Sequence, residues 1–141
     1  MSNIDAPRDN DLRTPIARAR GLGSGKTGTG HWWQQRLTAV ALMLLVPWLV
    51  GLLVSLVGAD LFTVREAVAR PWNAILLAAF VIAMFRHLQQ GLQVVIEDYV
   101  HTRWVEVALQ LLVALGSVVG ALACLYALGH IAMIVASQPS I

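Results

Sequence analysis

The chain reads as a polar lead followed by three long apolar stretches. Residues 1–30 are polar, and the apolar stretches cover about residues 33–57, 72–96 and 105–135. Each is long enough to cross a hydrocarbon core of ~30 Å, which takes roughly 20 helical residues. Lipid offers no partner to a backbone N–H or C=O, so a spanning segment must satisfy its own groups, and a helix does so. The short alternating segments that mark barrel strands are absent. The pattern predicts an all-α integral membrane protein with three transmembrane helices and a flexible polar N-terminal arm. It divides the chain into residues 1–30, a cytoplasmic arm, and residues 31–141, a three-helix membrane anchor domain. The first 30 residues lack the apolar stretch of a cleavable signal peptide, so the first apolar run is expected to stay in the membrane.

Composition agrees with this reading. Hydrophobic residues make up 57% of the chain and charged residues 13%, against about 25% charged in a typical soluble domain. The mean hydropathy is +0.67. A net charge of +2 is too small an excess to point to nucleic acid, and lipid is the expected solvent. The distribution of charge says more. Six of the ten basic residues, Arg8, Arg13, Arg18, Arg20, Lys26 and Arg36, precede or open the first apolar run. Basic flanks stay on the cytoplasmic side, so the N-terminus is expected there and the C-terminus outside. Arg65 and Arg70, in the loop of about residues 58–70, pull mildly the other way. Trp32, Trp33, Trp72 and Trp104 lie at helix ends, as interfacial anchors do, and Trp48 lies deeper. Pro47 falls inside the first helix, where lipid-embedded helices tolerate a kink.

Two features of the sequence imitate chemistry that their context denies. Gly25-Lys26-Thr27 resembles the end of a phosphate-binding loop, but the required earlier glycine is replaced by Arg20. Gly23, Gly25 and Gly28 match a dinucleotide-binding spacing, which has meaning only between a strand and a helix of a βαβ unit. The glycines read instead as a flexible lead-in to the membrane. Cys124, the single cysteine, has no internal partner for a disulfide and reads as an inert thiol in an apolar run.

Ionisable residues inside a span are costly and usually functional. His87 lies near the middle of the second helix. A mid-membrane imidazole fits axial ligation of a haem iron, and it equally fits a hydrogen bond to a neighbouring helix. Gly91, one turn on, shares its face. It admits a flat macrocycle or a closely packed helix. Arg86 is suited to a cofactor propionate, a partner subunit or a structural charge between helices. Asp98 and Tyr99 end the same helix, ~16 Å along the axis from His87. A phenol there can donate to a quinone carbonyl and a carboxylate can orient it or relay protons. An ordinary interfacial tyrosine is the competing reading. Arg36 opens the first helix at the cytoplasmic level of Tyr99 by this topology, either snorkelling to headgroups or turned inward to a propionate or quinone oxygen. His31 is placed just outside the first helix, His101 in a solvated loop, and His130 too far in depth from His87 to share one haem. Gly116 and Gly120 form a Gly-x-x-x-Gly pair suited to close helix packing.

These residues together carry a resemblance. His87-Leu-Gln-Gln-Gly91, then Gln93-Val-Val-Ile-Glu-Asp98-Tyr99-Val-His101, resembles the D-type hydrophobic membrane-anchor subunit of succinate dehydrogenase. That family places a glycine four residues after its histidine and an Asp-Tyr pair eleven and twelve residues after it. Arg36-Leu-Thr-Ala is similar to the opening of its first helix. Thr14-Pro15, Arg20-Gly21-Leu-Gly-Ser and Gly30-His31-Trp32-Trp33 are similar to bacterial, particularly alphaproteobacterial, members. The resemblance covers about residues 14–135.

The resemblance implies a subunit of an enzyme, with no catalytic residue and no activity of its own, in the bacterial inner membrane. Its implied partners are a C-type cytochrome b anchor subunit, an iron–sulfur subunit and a flavoprotein subunit that oxidises succinate. Haem b, shared with the C-type anchor, is the implied cofactor, and His87 matches this chain's axial ligand to the haem iron. Ubiquinone is the implied substrate at the cytoplasmic edge. Tyr99 matches the quinone-contacting tyrosine, and Asp98 and Arg36 match polar positions near quinone or a haem propionate. A non-redox three-helix scaffold and the anchor of a quinol:fumarate reductase are the alternatives. A haem band excludes the first, while the direction of electron flow depends on other subunits.

Overall fold

A computed structural model describes Ile16 and residues 28–138. Most of the arm expected over residues 1–30 lies outside the described residues. Four helices follow in order: α1 over Gly28–Ser55, α2 over Leu61–Ala69, α3 over Pro71–Tyr99 and α4 over Arg103–Ala136. Among the described residues there is no strand. Three of the helices are long and apolar enough to cross a membrane: Trp32–Ser55 within α1, Pro71–Tyr99 and Arg103–Ala136. The all-α, three-span expectation therefore holds. α1 starts earlier than expected, at Gly28, so His31 lies within it. Pro47 also sits inside α1.

The short helix α2 was not expected, since residues 58–70 read as a loop. Gly58 supplies the turn out of α1 with φ +80°, a conformation favoured by glycine. Asp60 then caps α2. Its carboxylate accepts from the Thr63 backbone N–H at 3.4 Å and from the Thr63 hydroxyl. The hydroxyl holds the Asp60 carboxyl below its ordinary value, because a donated hydrogen bond favours the ionised form. Pro71 opens α3 at a position where a missing N–H costs nothing. Asn73 ties the two helices together by donating from Nδ2 to the Ala67 carbonyl at 2.7 Å.

α3 is the central element. It packs against α1 on one side and α4 on the other, while α1 touches neither α2 nor α4. Burial follows: Val81, Ala83, Gln90 and Ile96 of α3 are buried, with Ser117 of α4 and Ala67 of α2. Large apolar side chains elsewhere point outward, among them Leu37 at 71% and Met43 at 67% exposed. Such surfaces belong against lipid tails or partner helices. Of the Gly-x-x-x-Gly pair, only Gly120 meets a neighbour in this chain. A Cβ on it would lie 2.6 Å from the Phe85 ring, whereas one on Gly116 would meet nothing within 4 Å.

Candidate functional site

The α1–α3 seam is polar. Thr38 Oγ1 lies 3.1 Å from His87 Nδ1. One turn earlier on α1, Gln34 Oε1 accepts from Arg86 at 3.0 Å and from the Gln90 amide at 3.2 Å. Arg86 also donates to Gln89 Oε1 at 3.2 Å. Gln90 is 3% exposed, and its Oε1 has no hydrogen-bond partner. The Arg86 guanidinium and the Gln90 amide N–H at the middle of α3 thus share an acceptor on α1, as donors in hydrocarbon need a partner. Arg86 is exposed and reaches across to α1, the contact that its reading as a charge between helices expects.

These contacts set the register of the antiparallel pair. Thr38 stands opposite His87, and Gln34 opposite Gln90. Arg36 is therefore level with Leu88 or Gln89, ~16 Å deeper than Tyr99. The expectation that Arg36 shares the level of Tyr99 is corrected: α1 begins at Gly28, so its first turns reach further in than an onset at Trp33 implies. Arg36 is also about 160° around α1 from both Gln34 and Thr38, on the side away from α3. Its guanidinium lies over the Trp32 ring, 5.2 Å from the centroid. Along that side runs an open groove of about 670 Å³ lined by Gly30, Trp33, Gln34, Arg36, Leu37 and Val40.

His87 is half-buried, and Gly91 beside it faces open space, since a Cβ there would meet nothing within 4 Å. At the end of α3, Asp98 and Tyr99 are exposed, Tyr99 at 79%. Neither makes a side-chain hydrogen bond among the described residues. Glu97 is engaged instead, accepting from Gln93 at 2.8 Å and from Gln110 of α4 at 3.4 Å. His130 stacks on Tyr126 at 5.9 Å between ring centroids. Phe85 packs on Gly120, so His130 falls ~18 Å in depth from His87.

The structure thus joins His87 to Thr38 and leaves Arg36, Asp98 and Tyr99 separate from that pair. Sequence reasoning assigned no role to Thr38 or Gln34. The available signal was their spacing: two polar residues one turn apart in an apolar run share a face, and that face seeks polar partners.

A membrane-embedded three-span chain with a polar seam at mid-depth and polar residues at one helix end is the class of protein this geometry defines. The chain belongs to the succinate dehydrogenase/fumarate reductase transmembrane subunit family, which it matches over residues 10–124. The succinate dehydrogenase hydrophobic membrane anchor subunit of Rickettsia bellii (strain RML369-C) is 39% identical over 90 residues, 64% of this chain and 72% of the relative. The subunit of the same name from Paracoccus denitrificans is 35% identical over 86 residues, 61% of this chain and 67% of the relative. That of Rickettsia conorii (strain ATCC VR-613 / Malish 7) is 32% identical over 91 residues, 64% of this chain and 72% of the relative. No solved structure matches the chain significantly.

Proposed function

We propose that this chain is the D-type membrane anchor of a succinate:ubiquinone oxidoreductase, holding haem b with a C-type anchor and forming one wall of the quinone site. The observation that carries the reading is His87, half-buried at the middle of α3 beside the open face at Gly91. The Thr38 contact was foreseen by the packing alternative, in which His87 merely bonds a neighbouring helix. It occupies only Nδ1, and an imidazole has a second nitrogen. The donor set therefore fits an axial ligand. Bound there, the haem would supply a one-electron store within the membrane.

The chain's own residues do the rest. His87 would hold the iron from this side, and Gly91 would leave the room a flat macrocycle needs. Of the two readings of Arg36, its depth favours the propionate over the quinone. Its guanidinium would have to leave Trp32 and reach around the edge of α1. Tyr99, exposed at the end of α3, donates its phenolic proton to a quinone carbonyl oxygen and polarises it. The Asp98 carboxylate beside it in sequence holds or passes a proton as charge builds on that oxygen. The α1 start and the α3 end lie on the side assigned to the cytoplasm of a bacterial inner membrane, where the iron–sulfur and flavoprotein subunits dock. The C-terminus lies on the periplasmic side.

Tyr99→Phe in the purified four-subunit complex tests the quinone role. Quinone reduction by succinate should fall about 100- to 10,000-fold, on the scale general acid–base groups contribute. Succinate oxidation by a soluble dye should stay close to wild type. Equal loss of both, or of neither, would remove Tyr99 from the site.

A further inference from the structure

We propose that Thr38 is the positioning residue for His87, accepting the Nδ1–H and so holding the ring in the tautomer whose Nε2 carries the free lone pair. The proposal rests on the reading of His87 as the haem ligand. It goes beyond that reading by naming which nitrogen is available and what makes it so.

Thr38 Oγ1 has three polar neighbours: the Gln34 carbonyl at 3.0 Å, the Gln35 carbonyl at 3.0 Å and His87 Nδ1 at 3.1 Å. The hydroxyl has one proton to give. The two carbonyl oxygens can only accept. If the proton went to Nδ1, the oxygen's lone pairs would face both carbonyls at 3.0 Å, one attraction against two repulsions. If it goes to the carbonyls of the preceding turn, all three contacts become attractive, provided that Nδ1 carries a hydrogen. The imidazole is then the Nδ1–H tautomer, and Nε2 is left as an acceptor or ligand. Back-bonding to the preceding turn also fixes the Thr38 rotamer, so the acceptor is held in place before any ligand arrives.

Ligating histidines generally donate their other ring N–H to an oxygen, which sets the ring orientation and raises its basicity. Here the acceptor is a hydroxyl on a different helix, so ligand geometry depends on the α1–α3 register. Gly91 on the same face leaves open space beside the ring.

The test compares Thr38→Val, Thr38→Ser and His87→Ala in the assembled complex, with bound flavin as the measure of assembly. Two quantities are read: the rate of haem transfer to an excess of a haem-scavenging apoprotein, and the haem midpoint potential. Thr38→Val should lose haem about 10- to 100-fold faster, the usual cost of removing such a partner. Its potential should rise, because a less basic ligand stabilises the ferric state less, and about 59 mV would mark a tenfold change. Thr38→Ser, which keeps the hydroxyl, should restore both values, whereas a purely steric role for Thr38 would give the reverse order, with the near-isosteric valine close to wild type and the smaller serine altered. Wild-type haem loss and potential in Thr38→Val, with haem absent from His87→Ala, would overturn the proposal alone. Haem retained in His87→Ala would overturn both the ligand reading and the proposal.

Discussion

The two seams of α3 are built in opposite ways. Against α4 it packs largely by shape, with the Phe85 ring seated on Gly120, and a hydrogen bond donated by the Gln110 amide to the Glu97 carboxylate lies near the helix end. Against α1 it is joined by Thr38, Gln34, Arg86, His87 and Gln90. In lipid neither seam gains from a hydrophobic effect between helices. Close approach over small residues and interhelical hydrogen bonds are the two remaining means. The difference shows where each is used. The α3–α4 seam joins α4 to α3, and the polar seam joins α1 to α3 while fixing the histidine and a guanidinium at mid-depth.

Breaking the shape-fitted seam should have the largest effect. Gly120→Val drives a side chain into the Phe85 ring and should destabilise the complex by about 1–3 kcal/mol, the range for overpacking. Thermal unfolding of the purified complex would measure it, and Phe85→Leu in the same chain should recover most of the loss. Additive losses would place the fault elsewhere. The polar seam should be softer. Gln34→Leu removes the shared acceptor of Arg86 and Gln90 and should cost about 1 kcal/mol, since interhelical hydrogen bonds in membranes average about 0.6 and reach about 1.7 kcal/mol. A larger cost than that of Gly120→Val would invert the ranking of the seams.

The smallest effect lies outside both seams, at the α2 cap. The Asp60 carboxyl is held below its ordinary value by Thr63. A depressed carboxyl stabilises the fold above its unfolded value and loses that contribution as pH falls through the lowered folded value. Amide exchange at Thr63 should therefore be faster in Asp60→Ala than in wild type at neutral pH. Once Asp60 is protonated, well below pH ~4, the difference should vanish. A difference that persists in acid would deny the carboxylate its part in the cap.

The three spans were legible because lipid demands long unbroken apolar runs, and such runs are visible without knowing what packs on what. The depth of His87 followed from counting along α3, and the distance to His130 from counting along α4. The short helix α2 was not legible by that rule, since nine residues cannot span. Its signal was local, in Asp60 ahead of Thr63. The polar seam escaped for a different reason. Which residue of α1 meets His87 depends on the register of two antiparallel helices, and a misjudged start of α1 shifts every partner. The same shift misplaced Arg36 in depth. Arg86 was open to three readings as a single residue, and its contact with Gln34 is visible only once the helices are paired.

The account's central claim is that His87 is this chain's ligand to a shared haem b. The most direct test is a reduced-minus-oxidised visible spectrum of membranes co-expressing this chain with the proposed C-type, iron–sulfur and flavoprotein partners, wild type beside His87→Ala. A b-type band is expected in the wild type and not in the variant, with all four subunits still assembled. A well-assembled wild type without that band, or a variant that keeps it, would contradict the claim and leave His87 as a residue that binds α3 to α1.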